Sequence, residues 1–341
     1  EDKDLKKIFK TWKLWINRFK NNKFYYSTFA NSFYCVWYPE KENNRKKDND
    51  LADEIYSYYD HFLKIKKIEL LVNKIVGIIF KQLSIEKKNL NIQKKLLTNS
   101  ENHETYKLKA DNIFLERNLK KSNILEADKL YKKSKKLKRA RSLIQERLNI
   151  YQNRIDRLEE FSEMLDNLSF LNIDSKRNKI VLLEELKSEI CSEFNIKIKN
   201  LKLNKKKSID LTSLPIEVSS PQKLIIQVGR NMRQNDLISF KLSKKGDLWF
   251  HAQECPGSHV VLKSSSKSPN DTDIQLAADI ASFFSKGKGN NKVPINCVKI
   301  KDLQRISNGG TGCVSFKNQE IIWGNPTRGK EYMKKNTQFK K

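Results

Sequence analysis

The chain is poor in the residues that punctuate folds, with 7 prolines and 11 glycines in 341 residues. Between Asp53 and Leu168 there is no proline and Gly77 is the only glycine, so little there would end a helix and long helices are expected. Cysteine is scarce as well. Cys35, Cys191, Cys255, Cys297 and Cys313 show no CxxC spacing and no signal-peptide pattern accompanies them, which argues against a disulfide framework and for a reduced, cytoplasmic protein. No apolar run reaches the roughly 18 residues needed to cross a bilayer, so no membrane partner is expected. Acidic residues are the third shortfall: 40 Asp and Glu against 68 Lys and Arg leave a formal charge of +28. That excess favours a polyanionic partner, RNA first, because neutralising phosphates releases counterions. Part of the lysine accompanies abundant Asn and Ile, a bias that A/T-rich coding alone produces, and solvated lysine faces are the ordinary alternative. The length and 38% hydrophobic content allow two or three domains with a real core. The first residue is Glu1 rather than Met, so either residues have been removed or this is a piece of something longer.

The pattern divides the chain into five stretches. Residues 1–50 mix aromatics with short apolar runs ("FYYSTFANSFYCVWYPE") in a strand-like composition. Residues 51–170 read as an antiparallel coiled coil. Leu137, Ile144, Tyr151, Leu158 and Leu165 recur every seven residues and Leu148 and Ile155 widen the stripe. Ile65, Ile68, Val72, Ile75, Ile79, Leu83, Leu90 and Leu97 form an answering stripe. The intervening "NSENHETYKLKADNIFLERNLKKSN" is the expected hairpin tip, with a short helix of its own. Residues 171–204 hold a helix from about Ile180 to Phe194 and the lysine run "KIKNLKLNKKKS". Residues 205–330 turn to period-two alternation with Pro and Gly, as expected of an α/β domain. Within it, helices begin near Asn231 and at Asp271 or Thr272 as N-cap. Residues 331–341 read as a basic tail. The fold class expected is therefore α+β, a long antiparallel helical coiled coil followed by a C-terminal α/β domain.

Two groups of residues are candidates for function. Where the second arm starts, "KLYKKSKKLKRARS" places Lys132, Lys133, Lys135, Lys136, Lys138 and Arg139 around a projecting helix, where phosphate contact is sterically easy and a merely solvated face is the rival reading. The other group centres on "GDLWFHAQECPGSHVVLK", residues 246–263. His251, Cys255 and His259 stand four apart, yet the strand composition, Pro256 with Gly257, and the lack of a fourth ligand nearby argue against a metal site. A Cys255 nucleophile with a histidine base lacks an orienting third group, so no catalytic residue is assigned. The remaining reading is a strand, a Pro-Gly turn and a second strand that present Trp249, His251, Ser258 and His259 beside Arg230, Arg233 and Lys263 for RNA, whose bases stack on rings while phosphates meet cations. Alternation sends Trp249 and Phe250 to opposite faces, so at most one ring is open to a ligand. His61 and His103 read as ordinary surface residues.

The blocks "VGRNMRQNDLISFKL", "GDLWFHAQECPGSHVVL", "QLAADIASFFSKGKG", "VPINCVKIKDL" and "GCVSFKNQEIIWGNP" resemble, in order and spacing, the NFACT-R domain of the NFACT family of RqcH-like proteins, also labelled fibronectin-binding protein A-like. Upstream, "LADEIYSYYDHFLKIKKIELL", "HETYKLKADNIFLERN" and "EADKLYKKSKKLKRARS" resemble the family's coiled coil, and residues 1–50 resemble the close of its N-terminal domain. The resemblance implies a binding and positioning factor of ribosome-associated quality control, without a cofactor or small-molecule substrate. Its implied partners are the large ribosomal subunit with its rRNA, alanyl-tRNA and peptidyl-tRNA, and the alanine tailing it supports leaves peptidyl transfer to the ribosome. A protein-interaction or adhesin role through the coiled coil is the alternative. The loop "LQRISNGGTGC" departs from the family's Lys- and Pro-rich pattern and keeps only Arg305, leaving backbone N–H groups of Gly309 to Gly312 as the phosphate contact there.

Overall fold

A computed structural model describes residues 2–21, 51–115, 121–170, 176–196, 213–306 and 310–337. It divides into two compact units, residues 1–66 and 67–341. In the first, helix α1 (Asp2–Lys20) replaces the strand-like character expected of the chain's start. Leu5, Ile8, Phe9, Trp12, Trp15 and Phe19 fall at the three- and four-residue offsets of one helix face, so helical periodicity outweighs aromatic composition. The stretch "FYYSTFANSFYCVWYPE" lies outside the described residues.

Helix α2 (Leu51–Glu101) and helix α4 (Lys121–Phe170) are the long arms, and 50 residues at 1.5 Å rise make α4 roughly 75 Å long. Most of both expected stripes lies in their seam. Leu90, Leu148 and Ile155 pack with Leu83, Leu97, Ile144 and Tyr151. Nearer the base, Ile75, Ile79, Leu158, Phe161 and Leu165 join Ile68 and Val72. Ile65, by contrast, is exposed. One polar layer interrupts the seam: Glu86 accepts from Gln82 Nε2 at 2.7 Å and from Arg154 Nε at 2.9 Å. At the tip, helix α3 (His103–Phe114) folds back on α4, allowed by the fully buried small pair Ala110 and Ala127. Tyr131 donates to the Asp111 carboxylate, and Ser134 Oγ donates to the His103 carbonyl at 2.8 Å.

Helix α5 (Lys176–Glu193) makes the base a three-helix layer by burying Leu182, Leu183, Leu186 and Ile190 against α2 and α4. The lysine run before the C-terminal domain lies outside the described residues.

That domain is a six-stranded antiparallel sheet built from β1 (Ile216–Ser219), β2 (Ile225–Val228), β3 (Leu248–Ala252), β4 (Val260–Leu262), β5 (Val293–Lys299) and β8 (Glu320–Gly324), in the order β1-β2-β4-β3-β5-β8. A separate hairpin, β6 (Leu303–Arg305) with β7 (Val314–Phe316), covers part of one face. A short helix, α6 (Met232–Asp236), starts at the expected Asn231 N-cap, and on the other face helix α7 (Asp271–Phe283) packs on Phe250, Val260, Leu262 and Ile295. Its N-cap is Asn270 rather than Asp271 or Thr272: Asn270 Oδ1 accepts from Asp273 N at 3.0 Å and the Asp273 carboxylate returns a bond to Asn270 N. This reciprocal box satisfies two orphan donors where a cap one residue later satisfies fewer. Helix α8 (Pro326–Thr337) carries the chain past residue 331, where a tail was expected to start, and buries Met333 completely against the α7 side of the core.

Candidate nucleic-acid interface

The "DLWFHAQECPGSHVVL" stretch forms a hairpin, with Trp249 opposite Val261 and Phe250 opposite Val260. Its turn is pinned to the end of α7: Ser258 N donates to the Phe284 carbonyl at 2.9 Å and Lys286 N to the Pro256 carbonyl at 2.8 Å. A Cβ on Gly257 would lie 3.1 Å from Ser285 Cβ and 3.3 Å from the Phe284 oxygen, so the close approach needs glycine.

Trp249, His251 and His259 come together, but largely inside. Trp249 is fully buried beside Ile238, Val261, Val298 and Leu303, because the β6–β7 hairpin and a π-helical turn (Leu237–Lys241) cover this part of the sheet. At most one of Trp249 and Phe250 was expected to be open, and neither is, because both faces of the sheet are covered at β3; the assignment of Trp249 as an RNA-contacting ring is thereby corrected. The His251 ring stacks on Trp249 at 5.6 Å, and the His259 ring meets both edge-on at 5.0 and 5.5 Å. His259 is held by a 2.8 Å bond between Nδ1 and Ser239 Oγ and by its N–H donating to Asn235 Oδ1 at 3.1 Å. Burial, and then the neighbouring His251, push His259 well below the usual imidazole range, and burial lowers His251 too, so both rings are neutral near pH 7. Ser258 is buried as well. These residues hold the turn and the sheet face; of the cluster, only half-buried His251 reaches the surface.

The basic residues of this group are dispersed. The Arg230 guanidinium donates to the Leu214 carbonyl. Arg233 is exposed, and its N–H and that of Met232 both donate to the Glu189 carboxylate at 3.2 Å. Lys263 is committed to Asp247 at 3.1 Å and to the Leu242 carbonyl. Against the upward push of burial, bonds from Lys244 N, Lys263 and Ser265 N hold the Asp247 carboxyl below its ordinary range. Arg305 pairs with Asp236 through two bonds of 3.0 and 2.8 Å. In the glycine loop, Arg157 binds the Thr311 carbonyl and Gly310 abuts the Arg157–Glu193 pair, so its described part is docked on the arm's base. Cys255 packs with the α7-side core, away from the two rings on the opposite face. Among the described residues no three His, Cys, Asp or Glu side chains cluster as a metal site.

The arm residues fare differently. Lys132, Lys133, Lys135, Lys136, Lys138 and Arg139 are all exposed. Lys133 lies 4.0 Å from the centre of the Tyr106 ring and lowers that phenol's pKa through their hydrogen bond. No carboxylate among the described residues pairs with any of the six.

A third basic group escaped the sequence reading. Lys241, Lys244 and Lys245 precede β3, Lys299 ends β5 and Lys301 follows it, all exposed. The fold joins them, since Leu248 pairs with Lys299 and Ile300 N donates to the Asp247 carbonyl at 3.1 Å. The signal was present as "KLSKKGD" and "VKIKD", but their adjacency exists only in the sheet.

Comparison with known proteins agrees with this architecture. Residues 216–318 match the NFACT protein RNA binding domain. The chain is 31% identical over 204 residues to Rqc2 homolog RqcH of Streptococcus suis, covering 60% of this chain and 34% of that protein. For Rqc2 homolog RqcH of Bacillus subtilis the identity is 28% over 200 residues, 59% of this chain and 33% of that one. The chain thus spans about a third of the length of the curated relatives it matches. A solved structure described as the C-terminal of the fibronectin/fibrinogen-binding protein from Streptococcus suis superposes with a TM-score of 0.64 at 27% identity, over 79% of this chain and 98% of that one. With the arm, the sheet and these matches together, residues 216–318 are similar to the NFACT protein RNA binding domain, and the wider chain is similar to part of the Rqc2 homolog RqcH proteins.

Proposed function

We propose that this chain is the RNA-binding arm and platform of a ribosome-associated quality-control factor. It engages an obstructed large ribosomal subunit through rRNA and tRNA, including alanyl- and peptidyl-tRNA, and supports C-terminal alanine tailing by binding and positioning, while the ribosome performs peptidyl transfer. The observation that carries this reading is the set of six exposed, carboxylate-free cations far out on an arm whose base is fastened to an RNA-binding domain. Lys136 lies 28 residues from Met164 at the base, a reach of roughly 42 Å along one helix. That arrangement suits contact with phosphates well away from the sheet.

The test is co-sedimentation of the chain with purified large subunits, with and without peptidyl-tRNA, over a salt series. Preference for obstructed subunits and a steep loss with salt are expected, with a slope of roughly −0.7 to −0.9 in log–log terms per phosphate contacted. Charge reversal of the six arm residues should flatten that slope. Binding indifferent to salt and to charge reversal would overturn the phosphate reading and favour protein docking through the coiled coil, in keeping with the fibronectin-binding label of the solved relative.

A further inference from the structure

Most of one sheet face is covered by the β6–β7 hairpin, but its β5–β8 margin is not. There Pro294 pairs with Trp323, Asn296 with Ile321, and His251 with Asn296, and directly opposed residues share a face. Trp323 is 58% exposed and Ile321 51%, on the outer strand of the sheet. Between Ile321 and half-buried His251 lies Asn296, only 5% exposed, whose Oδ1 has no hydrogen-bond partner. A buried amide oxygen left unpaired is costly, and a ligand donor removes that cost.

We infer that Trp323, Ile321 and Asn296 form a site for one unpaired nucleobase, the ring stacking on Trp323 and an exocyclic amino group donating to Asn296 Oδ1. An exposed aromatic on a sheet is a stacking platform, and exposed Lys292, two residues before Pro294, stands near for a phosphate. A docked protein strand fits less well, because the Trp323 carbonyl on this outer strand is already taken by Gln275 Nε2 at 2.8 Å. The inference deepens the RNA-binding reading and rests on it.

The experiment measures fluorescence-anisotropy binding of the full chain to labelled single-stranded oligoadenylate, to oligouridylate and to an RNA duplex of equal length, for wild type, Trp323→Ala and Trp323→Phe. Wild type is expected to prefer oligoadenylate over oligouridylate. Trp323→Ala is expected to lose roughly five- to a hundredfold on the single strand, with duplex affinity unchanged and Trp323→Phe close to wild type. The duplex arm reads general phosphate binding, and an unchanged melting temperature shows that the variant is folded. Single-strand affinity unaltered in Trp323→Ala, with duplex binding intact, overturns the base site alone and leaves this margin to a protein partner. Failure of wild type to bind any of the three RNAs overturns the RNA-binding reading itself.

Discussion

Arg157 is the residue on which the join between arm and domain can be tested most sharply. It is 7% exposed, donates to Glu193 and Glu160 at 2.7 Å each and to the Thr311 carbonyl, and spreads its guanidinium over the Phe161 ring at 5.4 Å. Burial opposes its charge, but Glu160 and Glu193 outweigh burial and raise its pKa. Replacing it with methionine keeps the volume and removes the charge, leaving two carboxylates and a carbonyl facing each other without a cation. Breaking a buried pair in this one-sided way costs about 3–5 kcal/mol. Scaled to 341 residues, Tm falls by roughly 1–2 °C per kcal/mol, so Arg157→Met should melt about 3–10 °C lower, followed by helical circular dichroism. Arg157→Lys should recover little, since an ammonium cannot serve three acceptors with a planar fork. Adding Glu193→Gln to Arg157→Met should return part of the loss, because the unpaired carboxylate is the source of the cost. A shift below about 2 °C for Arg157→Met would refute the reasoning and show that the cluster breaks even against hydrophobic packing.

Glu189 supplies a pH test. Burial first, against the N–H bonds from Arg233 and Met232, raises its carboxyl from the ordinary 4.5 to about 7. The folded state therefore binds the extra proton, and stability from this group, present at low pH, is lost as pH rises through that interval. At 1.36 kcal/mol per unit, the wild type should lose up to about 3 kcal/mol relative to Glu189→Gln between pH 4.5 and 8, measured by guanidinium unfolding. His251 and His259 act with the opposite sign: both are lowered by burial, so their stabilisation is full above about 6.5 and lost as pH falls below it. His259→Gln should shallow that acid limb, read from the same unfolding curves at pH 7, 6 and 5. Gly324→Ala places a Cβ 2.5 Å from the Ala278 carbonyl and 2.8 Å from Ser282 Cβ; it should cost about 1–3 kcal/mol by overpacking, seen as a lower melting temperature.

Much of this architecture was legible because it repeats. The seven-residue spacing of Leu158 and Leu165 needs no knowledge of the partner arm to predict a seam, and the absence of proline let the helices run. The candidate RNA site was legible only as a set of residue types. Period-two alternation says that Trp249 and Phe250 point to opposite faces, but what covers each face arrives from residues 237–241, 271–283 and 303–316. Burial of Trp249 is thus a tertiary fact with no local signature. Lys263 and Arg305 show the same limit: their neutralising partners, Asp247 and Asp236, lie 16 and 69 residues away. Trp323 and Asn296 were passed over because each is unremarkable until β5 and β8 pair.

The distribution of paired cations bears on what the net charge means. Arg157, Lys263, Lys286, Lys288, Arg305 and Arg328 each face a carboxylate, and Lys286 and Lys288 reach Glu159 and Glu163 on α4 at 2.7 Å. Lys286, Lys288 and Arg157 fasten the sheet domain to the arm, while Lys263, Arg305 and Arg328 are paired within the domain. Among the described residues the six arm cations have no such partners, and neither do Lys241, Lys244, Lys245, Lys299 and Lys301; on the proposed reading, release of counterions condensed by RNA is expected at the arm. Lys136→Ala with Lys138→Ala should then reduce the salt slope of RNA binding by roughly 0.9 per lost contact without altering the fold. Lys286→Ala with Lys288→Ala should leave the slope unchanged and instead loosen the α4 contact, read as faster hydrogen exchange at Phe284–Lys288. If the two pairs of substitutions lowered the slope equally, the charge of this chain would act as an undivided field, and the division of labour between arm and domain would fall with it.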